Sequence, residues 1–171
     1  SNDDHQTGLA INNRANIYWN QEKWELCIEE YTKAIAVLPS AVYYSNRGRV
    51  YQIIKDYDKA IVDLTKAIET EENPKNYDYR ADCYVVMEDY TNALKDYDKA
   101  IELAPENPSW YNNRADFYKN YIYLYDLSID DYTKAIQIST DDYQTTRAIN
   151  GRALIYEGRG LDELAITEYT K

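Results

Sequence analysis

Few residues of this chain are of a type and spacing that could do covalent or metal chemistry. His5 is the single histidine and sits in a polar N-terminal stretch, so no Cys–His or Ser–His couple is expected on the folded body. Zinc sites draw on clustered cysteine and histidine, and Cys27 and Cys83 stand far apart. Carboxylates abound, as at Asp130-Asp131 and Asp141-Asp142, but they read as solvated helix faces or caps. In EGRGLDE, Gly158 and Gly160 flank Arg159. They are no phosphate loop, because no strand pattern precedes them and no Gly-Lys-Ser/Thr follows. They are expected instead to end a helix in left-handed geometry. The chain therefore reads as non-enzymatic, with no cofactor and no metal. Noncovalent recognition remains, and two residue types recur in a form that could serve it. Asparagine carries both a donor and an acceptor. Arginine stands just before a small residue at Arg14, Arg47, Arg80, Arg114 and Arg152. Five stacked guanidiniums could bind anions, but pairing with Asp and Glu of neighbouring repeats and stacking on tyrosine explain them better.

The elements that position these residues follow from a period. Small residues fall at Ala15, Gly48, Ala81, Ala115 and Ala153, in steps of 33, 33, 34 and 38. A tyrosine stands three later each time, at Tyr18, Tyr51, Tyr84, Tyr118 and Tyr156. A second small position is Cys27, Ala60, Ala93, Ser128 and Ala165. A bulky one follows at Tyr31, Leu64, Tyr97, Tyr132 and Tyr169, and a last small one at Ala34, Ala67, Ala100 and Ala135. Self-similarity of this period signals stacked repeats, each burying a face on its neighbours. Glycine inside a helix costs roughly 0.5–1 kcal/mol relative to alanine, so Gly48 implies close approach of a partner helix. Asp56 is placed as an N-cap. From Ala115 to Ser128 the interval is 13, against 12 from Ala15 to Cys27. One extra residue therefore lies in Tyr121–Leu127, either in an extended first helix or in an exposed contact patch.

The stretches NNRANIYW, SNRGRVYQ and NNRADFYK, with DYDKAIVDLTKAI and DYTNALKDYDKAI, resemble the tetratricopeptide repeat, a helix–turn–helix unit of about 34 residues. The resemblance covers roughly Gly8 to Lys171. It implies an all-α, right-handed superhelical solenoid of about five repeats, with first helices lining a concave groove. With the small/tyrosine face as the buried seam, helical spacing points Asn13, Asn16, Asn46, Arg49, Lys75, Asp82, Asn113 and Asp116 into that groove. Asn13, Asn46 and Asn113 resemble the asparagine ladders with which the family holds extended peptides, interrupted here by Tyr79 and Gly151. The carboxylate clamp of chaperone-binding members matches at Asn16, Asn46 and Lys75. Asn12 and Tyr79 stand where it requires cations, so binding of chaperone tails is not expected.

The formal net charge is -11, which argues against nucleic acid, whose binding rests on cationic contacts to phosphate. It argues equally against an anionic membrane surface. No apolar run approaches a membrane span. Of 20 tyrosines, most fall at repeat positions, so the excess is packing. Cys27 and Cys83 are expected to be free thiols, which fits a reducing, cytoplasmic setting. Residues 1–7 read as a disordered tail, with Ser1-Asn2 a tag scar. Repeats follow at about 8–40, 41–73, 74–107, 108–142 and 146–171, the last incomplete. The partner is expected to be a protein or peptide bound in the groove. The alternative is an architectural or self-assembling arm using the uncapped last repeat, as a homo-oligomer, or the 121–127 turn.

Overall fold

The computed structural model describes residues 2–170. Their regular structure is ten α-helices and one π-helical turn, with no strand among the described residues. The chain divides into two compact units, Ser1–Ala93 and Leu94–Lys171. In the first, α1 (Asn2–Asn20) packs on α2 (Trp24–Val37), α3 (Ala41–Ile53) packs on α4 (Tyr57–Thr70), and α5 (Pro74–Val86) follows on α4. The division falls within α6 (Tyr90–Leu103). In the second, α7 (Pro108–Phe117) packs on α8 (Tyr125–Ile138), and α9 (Asp142–Gly158) packs on α8 and on α10 (Asp162–Tyr169).

The small residues make the seam. All five of the first small positions are buried, as are all five of the second. The two sets meet within each hairpin. Cys27 Sγ donates to the carbonyl of Ala15 at 3.4 Å, and Ser128 Oγ to that of Ala115 at 2.8 Å. A Cβ on Gly48 would lie 3.3 Å from the Ala60 carbonyl oxygen and 3.0 Å from Leu64, the close approach its sequence position implies. Cores form around this seam. Ala15, Cys27, Tyr31 and Val50 cluster in the first unit, and Tyr111, Ala115, Tyr132, Ala135, Ala148 and Ile155 in the second.

One device closes every hairpin. The carbonyl of the recurrent tyrosine accepts an amide five residues on, Tyr18 from Lys23, Tyr51 from Asp56, Tyr84 from Asp89 and Tyr156 from Leu161, at 2.9–3.0 Å. In the fourth repeat Tyr118 accepts from Leu124, six residues on, at 3.0 Å. The extra residue is taken up by a π-helical turn, Tyr118–Ile122, so Ala115 and Ser128 stay in register. One residue per turn is left-handed, with φ of 54° at Glu22, 64° at Lys55, 60° at Glu88, 56° at Tyr123 and 69° at Gly160. Gly160 thus fills the expected role, whereas Gly158 is the last residue of α9.

Helix starts follow side-chain caps. Asp56 caps α4, while Asn73 and Asn107 cap α5 and α7 with proline in the first turn. Two starts differ from the sequence reading. Helix α1 already begins at Asn2, within the stretch expected to be a tail, and Asp3 and Asp4 in its first turn complement the helix dipole. The fifth repeat begins at Asp142 rather than near 146, because the Asp141 carboxylate accepts the Tyr143 amide at 2.9 Å. Ser1, of the scar reading, and Lys171 lie outside the described residues.

The recurrent arginines bind within their own repeats, not chiefly across repeats as expected. Arg14 reaches Glu30, Arg47 Asp63, Arg114 Asp131 and Arg152 Glu168, each acid on the second helix of the same hairpin, and Arg114 also pairs across repeats with Asp98 at 2.5 Å. Arg47 and Arg114 are bidentate, at 2.7–2.8 Å. The preceding repeat adds a second acceptor, Thr32 to Arg47, Thr65 to Arg80 and Thr133 to Arg152, each at 2.8 Å. Stacking on tyrosine occurs as expected, with Arg47, Arg80 and Arg114 lying 5.7–6.0 Å from the rings of Tyr51, Tyr84 and Tyr118.

Candidate functional site

Each unit carries a cleft on its first helices. The first-unit cleft encloses about 260 Å³ and is lined by Ser45, Asn46 and Arg49 of α3 with Lys75, Asn76 and Tyr79 of α5. Arg49 is one turn from Asn46 on the same face, and its guanidinium lies between two aromatic rings. Trp19 is 5.0 Å away and Tyr79 is 4.6 Å away. Asn46 donates to Asn12 Oδ1 at 3.4 Å, and Ser45 Oγ donates to Asn76 Oδ1 at 2.5 Å. Lys75, in the first turn of α5, is exposed. The exposed carboxylate of Glu71 stands on the rim.

The second-unit cleft encloses about 340 Å³ and is lined by Asp116 and Lys119 on one side and by Tyr143, Arg147, Asn150 and Leu154 of α9 on the other. Here Asp116 is already engaged. It accepts from the Tyr132 hydroxyl, pairs with Arg147 at 2.6 Å and lies 3.4 Å from Lys119. Gly151 makes this possible, because a Cβ there would collide with the Tyr132 ring. Burial, together with the adjacent Asp116 carboxylate, pushes the Tyr132 phenol well above its ordinary range.

Of the residues read from the sequence as groove-facing, Asn46, Arg49 and Lys75 come together in one cleft, and Asp116 lines the other. Asn13 and Asn16 are exposed on α1, and Asn16 accepts the Tyr31 hydroxyl at 3.0 Å. Asp82 and Asn113 are half-buried and line neither cleft. Sequence reasoning missed Asn76 and Trp19 as contributors, whereas Arg147 stands at the groove position that Lys75 holds in the first unit. It also missed the acids Glu30, Asp63, Asp96, Asp131 and Glu168, which are all buried. Their near-repeat spacing was the available signal.

Cys27 and Cys83 are free and buried. Burial raises both thiols, Cys83 to about 12 with Asp82 adding to the effect. Among the described residues no group of His, Cys, Asp and Glu is arranged to hold a metal ion. None of their helices is long and apolar enough to cross a membrane. The turn with the extra residue exposes Tyr121, Tyr123, Leu124 and Leu127, with Tyr123 at 65%. Beside it Tyr123, Tyr125, Leu154 and Arg159 line a further cleft of about 400 Å³.

Comparison with known proteins accords with this geometry. The tetratricopeptide-repeat family matches residues 41–74 and, separately, 79–107. No curated protein matches the sequence. Among solved structures, MamA is similar at 21% identity over 91% of this chain and 90% of its own, with a TM-score of 0.78. A tetratricopeptide repeat protein from Parabacteroides merdae gives a TM-score of 0.81 at 18% identity, over 96% of this chain and 65% of its own. The first repeat domain of Spaghetti (RPAP3), solved with an HSP90 peptide, is 29% identical over 60% of this chain and 82% of its own, with a TM-score of 0.58. Residues 41–74 and 79–107 are thus tetratricopeptide repeats, and the recurring buried seam and these neighbours give the chain the all-α fold of tetratricopeptide-repeat proteins.

Proposed function

We propose that this chain is a non-enzymatic protein-interaction scaffold that holds a peptide segment of a partner against the first helices of its repeats. The observation that carries the reading is the first-unit cleft, where Asn46, Ser45 and Asn76 supply amide and hydroxyl groups beside Arg49. An asparagine side chain can meet a peptide backbone in either sense, since it both donates and accepts. Each such bond adds only about 0.5–1.5 kcal/mol net, so the exposed Asn13 of the same unit is proposed to extend the contact along the segment. The HSP90 peptide on the Spaghetti domain supports a peptide as the ligand class. A terminal-carboxylate clamp is not the proposed mode, because Asn12 is bonded to Asn46 and Tyr79 stacks on Arg49.

A second reading is a self-assembly or architectural arm. It is favoured by the exposure of Ile166 at 62% and Tyr169 at 51% on α10, where the equivalent Tyr132 of α8 is fully buried. One experiment separates the two. Partners captured from a lysate by the wild-type chain and by an Asn13/Asn46/Asn113→Ala variant are compared by mass spectrometry, with circular dichroism confirming the fold. Loss of partners in the variant is the expected result. Their retention moves the contacts to α10 or to the 121–127 turn.

A further inference from the structure

We infer that the first-unit cleft reads an internal acidic side chain, aspartate or glutamate, of the bound segment, with Arg49 as its receptor. The inference rests on the groove reading above and names the chemistry of the segment. The chain carries 30 acids against 19 lysines and arginines, and most of its arginines hold a carboxylate. Arg14, Arg47, Arg114, Arg147, Arg152 and Arg159 each hold an Asp or Glu. Arg49 holds none among the described residues. Its guanidinium lies over the rings of Trp19, on α1, and of Tyr79, on α5.

Stacking has a specific consequence. Aromatic faces occupy the flat sides of a guanidinium and leave its five N–H donors, which lie in the plane, directed at the edge. The group is thereby held in one orientation without losing its capacity for a bidentate carboxylate. Lys75 lines the same cleft and forms no ion pair among the described residues, so it supplies a second, mobile cation. Glu71 on the rim is the one carboxylate lining the cleft, which leaves an excess of one positive charge. The neighbouring amides of Asn46 and Asn76 suit the backbone on either side of the acid. Because the receptor is a side-chain site inside the cleft, the acid need not be the segment's terminus.

Proton–nitrogen NMR titration of the full chain tests this, reading the Arg49 side-chain Nε–H resonance. The probes are Gly-Ser peptides, acetylated and amidated to remove terminal charges, bearing two adjacent Glu, Gln or Lys residues. The Glu peptide should shift the Arg49 resonance and bind roughly tenfold tighter than the Gln peptide, the factor expected for one charge-assisted contact. The Lys peptide should not bind. Arg49→Gln should abolish the preference, and Arg49→Lys, which keeps the charge but not the planar stack, should lose most of it. Lys75→Gln should weaken the Glu peptide roughly two- to fivefold, as for an exposed pair. Arg49 and Lys75 are both at the surface of the cleft, so unchanged melting of the variants keeps the result interpretable. Equal affinity for Glu and Gln peptides, a preference that survives Arg49→Gln, or no binding of the Glu peptide overturns the inference. The groove reading fails separately, when partner capture survives the triple asparagine variant.

Discussion

The two clefts are built from the same repeat positions and differ in whether their arginine is paired. One residue after the small position stands Arg49 in the first unit and Asp116 in the second. Six before the next small position stand Lys75 and Arg147, cations in both. Two before it stand Tyr79 and Gly151, and on the second helix Leu64 and Tyr132. In the first unit the ring of Tyr79 comes from the neighbouring first helix and packs on a cation, which stays without a carboxylate. In the second, the ring comes from the second helix through the space left by glycine, and its hydroxyl donates to an acid that also holds Arg147. One scaffold thus yields a cleft whose arginine has no carboxylate or one whose arginine is already paired. Which of these forms depends on which helix supplies the aromatic ring.

The largest effect expected between the units concerns the acids that close the hairpins. Asp131 is 6% exposed and bidentate to Arg114, whose side chain is 20% exposed. Asp131→Ala removes a buried bidentate contact while Asp98 still holds Arg114, so it should cost about 2–3 kcal/mol in the second unit. Glu30 is similarly buried, but Arg14 is 52% exposed and can be rehydrated, so Glu30→Ala should cost about 1 kcal/mol. Denaturant unfolding of the two variants measures the difference, and equal losses break it. The pH response should differ in sign. Burial raises Asp131 and Arg114 only partly offsets it, with Asp98 and Asp130 also raising it. The proton bound more tightly by folded Asp131 favours the folded state fully below about pH 3.8, a contribution lost as pH rises through the raised folded pKa. Burial also opposes the charge on Glu30, yet Lys33 and Arg14 together hold it below its ordinary value of 4.5. Its contribution is present above that value and lost as pH falls through the folded pKa.

Next in size is the glycine that admits the ring. Gly151→Ala places a methyl group against Tyr132, and overpacking of this kind costs about 1–3 kcal/mol. The residue two before the small position of the second repeat, Asn46, already carries a side chain, so Asn46→Ala should move stability by under about 0.5 kcal/mol. A pair of melting curves decides it. A Gly151→Ala protein as stable as the parent would mean that Tyr132 does not fill that space.

How much of this was legible in the sequence follows from where each determinant lies. The seam was readable because each small residue serves its own hairpin at a fixed interval, and burial of Ala15, Gly48 and Ala81 needs no long-range information. The extra residue near 121–127 was readable as a change of interval from 12 to 13. Its absorption into a π-helical turn depends on the six-residue Tyr118–Leu124 bond, which side-chain pattern does not encode. The acids at 30, 63, 96, 131 and 168 were hidden among many solvated carboxylates, because a charge run looks alike whether an arginine covers it or water does. That Asn46, Arg49 and Lys75 share one cleft agrees with their helical spacing. The charge state at Asp116 did not follow from spacing, since it is set by Tyr132 and Arg147, which stand on different helices.

The smallest expected effect is also the most direct comparison of the clefts. Asp116→Asn keeps the side-chain shape and an acceptor for the Tyr132 hydroxyl but removes the charge that neutralises Arg147 and Lys119. Asp116 is half-buried and at the cleft surface, so the stability change should be under about 1 kcal/mol. The cleft, however, changes from one acid and two cations to two cations alone. If charge state separates the units, the second cleft of the variant should acquire the preference for the Glu peptide over the Gln peptide inferred for the first. The gain should be roughly two- to fivefold, smaller than at Arg49 because neither Arg147 nor Lys119 is sandwiched between two rings. Resonances of α9 in the NMR titration would report it independently of Arg49. If those resonances stay still in Asp116→Asn, charge alone does not distinguish the clefts. The aromatic sandwich of Trp19 and Tyr79 then becomes the property that sets the first unit apart.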